Sequence, residues 1–160
     1  MSVLLTASLS ATLPLSAASH VDVVKMRTEN QVNPLGIGTS TPRFSWQITS
    51  DRKGVVQTSY QILVASSREK LDRNEADLWD SGERNSDEQL WIPYQGKALL
   101  SGAQAYWKVR ITTNKGKSEW TEPQLFTIGL LGETKWSGTW IGLEDLQPGE
   151  QKGMHTRLAA

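Results

Sequence analysis

From Ala105 to Thr112 apolar and polar positions alternate: Ala105, Trp107, Val109 and Ile111 share one face, and Tyr106, Lys108, Arg110 and Thr112 the other. Side chains of a strand point to opposite faces with a period of two. The pattern therefore predicts a half-buried strand whose outer face carries two cations and an aromatic ring. Asn114-Lys115-Gly116-Lys117 predicts a turn. The run from Glu119 to Ile128, with Phe126 and Ile128 inward, predicts a second strand that closes a hairpin. Arg43 to Thr49 alternates in the same way, with Phe44, Trp46 and Ile48 opposing Arg43, Ser45 and Gln47. Val56 to Ser66 places Tyr60, Ile62 and Val64 inward. Leu63 interrupts its polar side, which predicts a neighbour partly covering that face.

The remaining segments read as shorter pieces. Val21 to Thr28 is a first strand. Asn30 to Pro42 carries Pro34, Gly36, Gly38 and Pro42, so it reads as an irregular crossing between two sheets and not as a central strand. Asp51 to Gly54 is a polar turn. Ser66 to Asp77 is densely charged and reads as a solvated loop, with room for a short helical turn around Leu71. Leu78 to Gly82 gives a short edge strand and turn. Gln89 to Tyr94 gives another short strand, with Leu90 and Ile92 to one side, Trp91 to the other, and Pro93 confining its end to an edge. About seven strands without a long helix predict an all-β, immunoglobulin-like sandwich. Such a sandwich needs roughly 100 residues, and Val21 to Ile128 supplies them.

Composition narrows the function. The chain has 160 residues, 38% hydrophobic and 21% charged, which fits one or two small globular domains. Seventeen basic residues balance seventeen acidic ones, so there is no electrostatic footprint for nucleic acid or for an anionic membrane. There is no cysteine, hence no disulfide and no thiolate chemistry. Met1 to Ala18 is uncharged, apolar and ends in small residues, like the apolar and cleavage regions of a secretory signal, although no Lys or Arg precedes Lys25. Residues 1–19 are accordingly read as a leader, with the mature protein secreted, periplasmic or at the cell surface and without a membrane span once the leader is removed.

Several stretches carry a likeness to known proteins. Trp46, Tyr60, the turn Leu99-Leu100-Ser101-Gly102 and the strand Trp107-Lys108-Val109-Arg110-Ile111 resemble a fibronectin type III domain. That family usually ties a tyrosine hydroxyl to the backbone at the position of Ala105; either Tyr106 substitutes in a shifted register or the corner is absent. Arg27-Thr28-Glu29, Asn33-Pro34-Leu35-Gly36-Ile37 and Thr41-Pro42-Arg43-Phe44-Ser45-Trp46 look like the start of bacterial α-L-rhamnosidases. So do Gln57 to Ala65, Leu78 to Gly82 and Ser118 to Pro123. Trp136-Ser137-Gly138-Thr139-Trp140-Ile141-Gly142 matches the connector to the next β-sandwich of those enzymes.

The resemblance implies a non-catalytic first domain over residues 21–129. A linker and the start of a second sandwich would follow over residues 130–160. Inverting hydrolysis of terminal rhamnose would be carried by carboxylates of a helical barrel further along. The implied partners are the remainder of the parent enzyme and rhamnose-containing glycans. The alternative is an independent carbohydrate-binding or adhesion module using exposed tryptophans.

Motifs for chemistry within this chain are weak. Inverting glycosidases need two carboxylates about 6.5–9.5 Å apart across a sugar, and no scaffold for such a pair is evident. Asp72, Glu75, Asp77 and Asp80 lack calcium-loop spacing. His20 and His155 fall in no metal or triad pattern, Gly36-Ile37-Gly38 is too little for a phosphate loop, and no serine has a Gly-x-Ser-x-Gly setting. No catalytic, cofactor-binding or metal-binding residue is assigned, and no cofactor is expected. The candidates that remain are Trp120 with Lys108 and Arg110, expected to stack as a cation–aromatic ladder like that of cytokine-receptor fibronectin domains, or else to form a sugar platform. Trp136 and Trp140 are expected to anchor a domain interface.

Overall fold

The computed structural model describes residues 21–132. The leader read over residues 1–19 lies outside the described residues. So do Trp136, Trp140 and the rest of the linker and stub beyond Gly132. Among the described residues the order of elements is β1 (Val21–Thr28), β2 (Arg43–Ser50), β3 (Gln57–Ala65), α1 (Arg68–Asp72), β4 (Trp79–Asp80), β5 (Ile92–Pro93), β6 (Gln104–Thr113), β7 (Gly116–Lys117) and β8 (Gln124–Thr127). One antiparallel sheet has the order β1-β2-β5. The other runs β4-β3-β6-β7, with β8 also paired to β6. Because β3 occupies one edge of β6, β7 and β8 share its other edge end to end, and the two sheets together form an all-β, immunoglobulin-like sandwich.

Alternation sets the core. Phe44 and Trp46 from one sheet meet Ile62, Val64, Ala105, Trp107, Val109, Ile111 and Phe126 from the other, all at 1% exposure or less. Burying a large apolar side chain contributes about 1.5–3 kcal/mol each. Phe44 is the aromatic hub, with ring centroids 4.4 Å from Trp107 and 5.8 Å from Phe126. Trp46 donates from Nε1 to the buried Gln57 Oε1 at 3.1 Å, and Gln57 Nε2 donates in turn to the carbonyls of Ser86 and Glu88. Every polar group of that inner pair is thus partnered, whereas the buried Trp107 Nε1 has no acceptor.

The crossing between β1 and β2 turns at Glu29 and Asn30, both at positive φ, and then lies along β8. Ile37 donates to Thr127 O, Gly129 donates to Ile37 O, and Ile37 bridges Ile128 in parallel. The approach is close: a β-carbon on Gly129 would fall 2.9 Å from Gly36 O.

Two readings of the sequence, the strand over 119–128 and the one over 89–94, are corrected, and two that were left open, the helical turn around Leu71 and the tyrosine corner, are resolved. The strand expected from Glu119 to Ile128 is broken, because only Gln124–Thr127 ladder regularly with β6. Pro123 has no N–H, and hydroxyls of residues 118 and 121 take the place of main-chain carbonyls on β6. Gln89 to Tyr94 is not a regular strand. Between the Trp46 N–Gln89 O bond and the Phe44–Ile92 pair, this segment spends one residue more than β2 does. The resulting bulge puts Trp91 at φ +58° and leaves Leu90 exposed while Ile92 is buried. Within the segment 66–77 the short helical turn around Leu71 is present as α1, capped by Ser67, and Leu71 is fully buried beneath it, so this part is not a solvated loop. The corner tyrosine is absent, since Ala105 faces the core opposite Phe126 and the Tyr106 hydroxyl meets only Gln104 Nε2 at 2.6 Å. A different tyrosine, Tyr94, ties its hydroxyl to the backbone, donating to Lys97 O at 2.7 Å. Burial pushes its pKa up to about 12.

Candidate functional site

The outer face of the five-stranded sheet is covered by a second, smaller apolar cluster. Leu63 and Ala65 of β3 meet Leu71 of α1, and Ala76, Tyr106 and Trp120 pack around them. Trp120 reaches this face because the segment before it is pinned to β6 by hydroxyls. Ser118 Oγ accepts from Ile111 N at 3.0 Å, and Thr121 Oγ1 accepts from Val109 N at 3.0 Å. The amides of Ser118 and Thr121 donate back to the carbonyls of Ile111 and Val109. With both hydroxyls facing β6, Glu119 and Trp120 between them bow outward, and the indole lies over the cations of β6. Arg110 Cζ stands 4.4 Å from the Trp120 ring centroid and Lys108 Nζ 5.1 Å.

The two cations differ. Lys108 is only 5% exposed, although the alternation places it on the outer face. Its ammonium donates to Leu71 O and, at 2.8 Å, to Asn74 Oδ1, so it caps the C-terminal end of α1 where carbonyls are left unpaired. Burial lowers its pKa, opposed by the charge of Asp72. Arg110 donates through Nη2 to Gln61 Oε1 at 3.2 Å, and Gln61 in turn donates to Asp80 Oδ1. Its buried Nε has no acceptor, and the guanidinium lies against the indole. A cation on an indole contributes about 0.5–1 kcal/mol when exposed and about 2 kcal/mol when desolvated. Arg68 of α1 closes the arrangement with an ion pair to Glu122 at 2.6 Å.

A second indole–guanidinium contact lies on the opposite sheet and is not read from the sequence. Arg43 Cζ is 4.3 Å from the Trp91 ring centroid. Its guanidinium is held by Glu29 in a two-point contact, Nε to Oε1 at 3.0 Å and Nη2 to Oε2 at 2.7 Å. That contact is the main cause of the lowered pKa of Glu29 and of the raised one of Arg43. Trp91 is 43% exposed. The signal available beforehand was Pro93 two residues on, which ends ladder pairing and favours a bulge.

Among the clefts of the described residues are four that are each lined by a single carboxylate: Glu88, Glu122, Glu29 or Asp87. Asp77, of the acidic stretch, is committed to Lys70 Nζ at 2.6 Å and to Ser66. Among the described residues no group of three His, Asp or Glu side chains could hold a metal ion, and no helix is long and apolar enough to cross a membrane.

The family described as Rha78A-like, N-terminal immunoglobulin domain matches residues 23–132. The chain belongs to this family. An α-L-rhamnosidase of Formosa agariphila is 39% identical over 127 residues, covering 78% of this chain but 13% of that protein. The crystal structure of Streptomyces avermitilis α-L-rhamnosidase complexed with L-rhamnose superposes with a TM-score of 0.71 at 36% identity, covering 77% of this chain and 12% of that one. The structure of the α-L-rhamnosidase from Dictyoglumus thermophilum gives 0.70 at 35% identity, covering 77% and 14%. The chain therefore spans about an eighth of the length of these relatives, and it corresponds to their N-terminal immunoglobulin domain.

Proposed function

We propose that this chain is the non-catalytic N-terminal module of an exported α-L-rhamnosidase, in which residues beyond it hydrolyse terminal α-L-rhamnose. The observation that carries this reading is the coverage: over three-quarters of the chain matches rhamnosidases, yet it accounts for only 12–14% of them. The ladder of Trp120, Arg110 and Lys108 serves as packing in this reading, and the module's role is to rest against the catalytic part.

The surface for that contact is the edge where the chain leaves the sandwich. Leu35, Leu100 and Leu130 are 77%, 73% and 62% exposed. Backbone contacts bring their segments together: Gly36 abuts Gly129, Leu131 N donates to Ser101 Oγ, and Gly102 N donates to Ile128 O. Exposed leucines at a chain exit mark a surface meant to be covered. Trp136 and Trp140, a few residues on, would complete it as anchors. The leader-like residues 1–19 support export, and the mature N-terminus found by mass spectrometry tests that part; a chain still starting at Met1 would remove it.

For the function itself, the isolated chain should release no rhamnose from an aryl rhamnoside. In the whole enzyme, Leu100→Glu with Leu130→Glu should lower the melting temperature while leaving the isolated chain as stable as before. Rhamnose release by the isolated chain would overturn the reading.

A further inference from the structure

A cleft of about 290 Å³ lies between the free edges of the two sheets, where β4 ends one and β5 ends the other. Its walls are of two kinds. Trp79, Ile92 and Pro93 are apolar, while the Tyr60 hydroxyl, the Arg84 guanidinium and the Glu88 carboxylate are polar. Tyr60 is 8% exposed overall, and it lines the cleft with its ring packed against Trp46. Burial pushes the pKa of the Tyr60 hydroxyl up, the charge of Glu88 adds to this, and the charge of Arg84 opposes it, so both charges act on the same atom. Arg84 and Glu88 make no ion pair with each other or with any other described residue, which leaves both free to meet a ligand.

The frame around these groups is fixed. The main chains of Tyr60 and Arg84 bond each other reciprocally, at 3.0 and 2.8 Å. Glu88 O receives Gln57 Nε2, which anchors the loop. Trp79 packs edge-on to Tyr94 at 5.4 Å, and Gly96 lies flush behind it: a β-carbon there would fall 2.5 Å from Leu78 O and 2.6 Å from the Tyr94 hydroxyl. The cleft is thus walled by held elements, with two exposed charged side chains, Arg84 and Glu88, in its lining.

We infer that this cleft binds one neutral pyranose ring. A ring sugar presents an apolar face of C–H groups, suited to Trp79, Ile92 and Pro93. Its adjacent hydroxyls each donate and accept. Glu88 accepts only, Arg84 donates only and Tyr60 does both, so together they satisfy a vicinal pair of hydroxyls. The volume lies at the lower end of ligand pockets and suits a single ring over a chain of sugars. Affinity for one ring in so open a site is weak, with a Kd on the order of 1–10 mM.

The inference stands apart from the parent activity, because a sugar bound here would meet one carboxylate and no hydrolytic pair. The test is titration of the 160-residue chain with methyl α-L-rhamnopyranoside and with methyl α-D-glucopyranoside, followed by the indole N–H signals of an ¹⁵N-labelled sample, Trp79 being assigned from Trp79→Phe. A saturable shift of the Trp79 signal with at least one of the two sugars is expected. Arg84→Gln and Tyr60→Phe should each weaken it roughly tenfold, as removal of a hydrogen bond to a ligand does, with the rest of the spectrum retained. No shift of Trp79 with either sugar up to about 100 mM, ten times the weaker expected Kd, overturns the inference. So does a shift centred on Trp91 or Trp120, or one that Arg84→Gln leaves unchanged.

Discussion

Two tryptophans carry a guanidinium at nearly the same distance, Trp120 with Arg110 at 4.4 Å and Trp91 with Arg43 at 4.3 Å, and they sit on opposite sheets. Everything around the two contacts differs. Trp120 roofs the cluster of Leu63, Ala65 and Leu71, and its segment is fastened by two hydroxyls to buried amides of β6. Trp91 projects from a bulge at φ +58°, with its amide on Ser45 Oγ and its cation held by Glu29. The exposed pair at Trp91 contributes about 0.5–1 kcal/mol, and the half-buried one at Trp120, with Lys108 as a second cation, contributes more. What separates them is how much water the indole excludes, and whether the backbone beneath it is relaxed or strained. The Trp120 site should therefore be structural to the sandwich, and the Trp91 site nearly dispensable to it.

Removing the roof gives the largest expected effect. Replacing a fully buried tryptophan by alanine costs about 3–5 kcal/mol. Trp120 is only half-buried, so Trp120→Ala should cost about 2–3 kcal/mol, including the lost contact with two cations. Urea unfolding of the 160-residue chain measures it, and a loss as small as a surface substitution would erase the distinction between the sites.

The hydroxyls come next. Ser118→Ala or Thr121→Val leaves a β6 amide without its acceptor, at about 1–2 kcal/mol each. Amide exchange should quicken at Ile111 in the first variant and at Val109 in the second. If exchange stays slow at both, the main chain of residues 118–123 has moved in to close the ladder, and the hydroxyls are not what shapes the segment.

The same contrast explains what could be read in advance. Strand alternation places Trp107, Val109 and Ile111 inside, and Lys108 and Arg110 beneath Trp120, because a period of two fixes facing whatever the neighbours are. It does not say that Lys108 would be buried. That depends on α1, a five-residue helix whose end needs a donor, and the charged stretch 66–77 conceals its one buried residue, Leu71. Gln89 to Tyr94 misleads for a related reason. One extra residue in a bulge reverses facing from that point on, so Leu90 and Ile92 part company and Trp91 takes a backbone conformation that no tryptophan signals. The cleft at Tyr60 joins edges of two sheets, and its residues come from four separate segments; only the fold assembles them.

Acid sharpens the comparison further. Asp77, beside α1, is pushed up by burial, but bonds from Lys70 and from the hydroxyl and amide of Ser66 outweigh this and hold it at about 2. A carboxyl depressed below its unfolded value of about 4 adds stability that is complete above that pH and is lost as pH falls toward about 2. With the side chain one-third exposed, solvent screening keeps the contribution near 1 kcal/mol or below. Asp77→Asn should flatten this part of the pH–stability curve. Glu29 is lowered chiefly by the hydrogen bond from Arg43, so its contribution is likewise present above the ordinary carboxylate value and lost below it. Arg110 and Lys108 make their hydrogen bonds to an amide side chain, a carbonyl and an asparagine, none of which titrates there, and carboxylates act on Lys108 only through the charges of Asp72 and Glu122. On acidification toward pH 2 the indole N–H signal of Trp91 should therefore move well before that of Trp120. Simultaneous movement would mean that α1 and the Trp120 roof come apart with Asp77.

The smallest expected effect belongs to Trp91 itself. A bulky residue held at positive φ costs about 1–2 kcal/mol relative to a relaxed backbone, and asparagine adopts that conformation with less strain. Trp91→Asn thus relieves strain while giving up the contact with Arg43, worth about 0.5–1 kcal/mol at an exposed site. The two changes nearly cancel, and the variant should unfold within about 0.5 kcal/mol of the parent chain. A stability loss approaching that of Trp120→Ala would show that the Trp91 indole is covered by something on the three-stranded sheet. A clear gain would show that the strained indole is kept at the expense of folding, which points to a use at the surface instead of in the core.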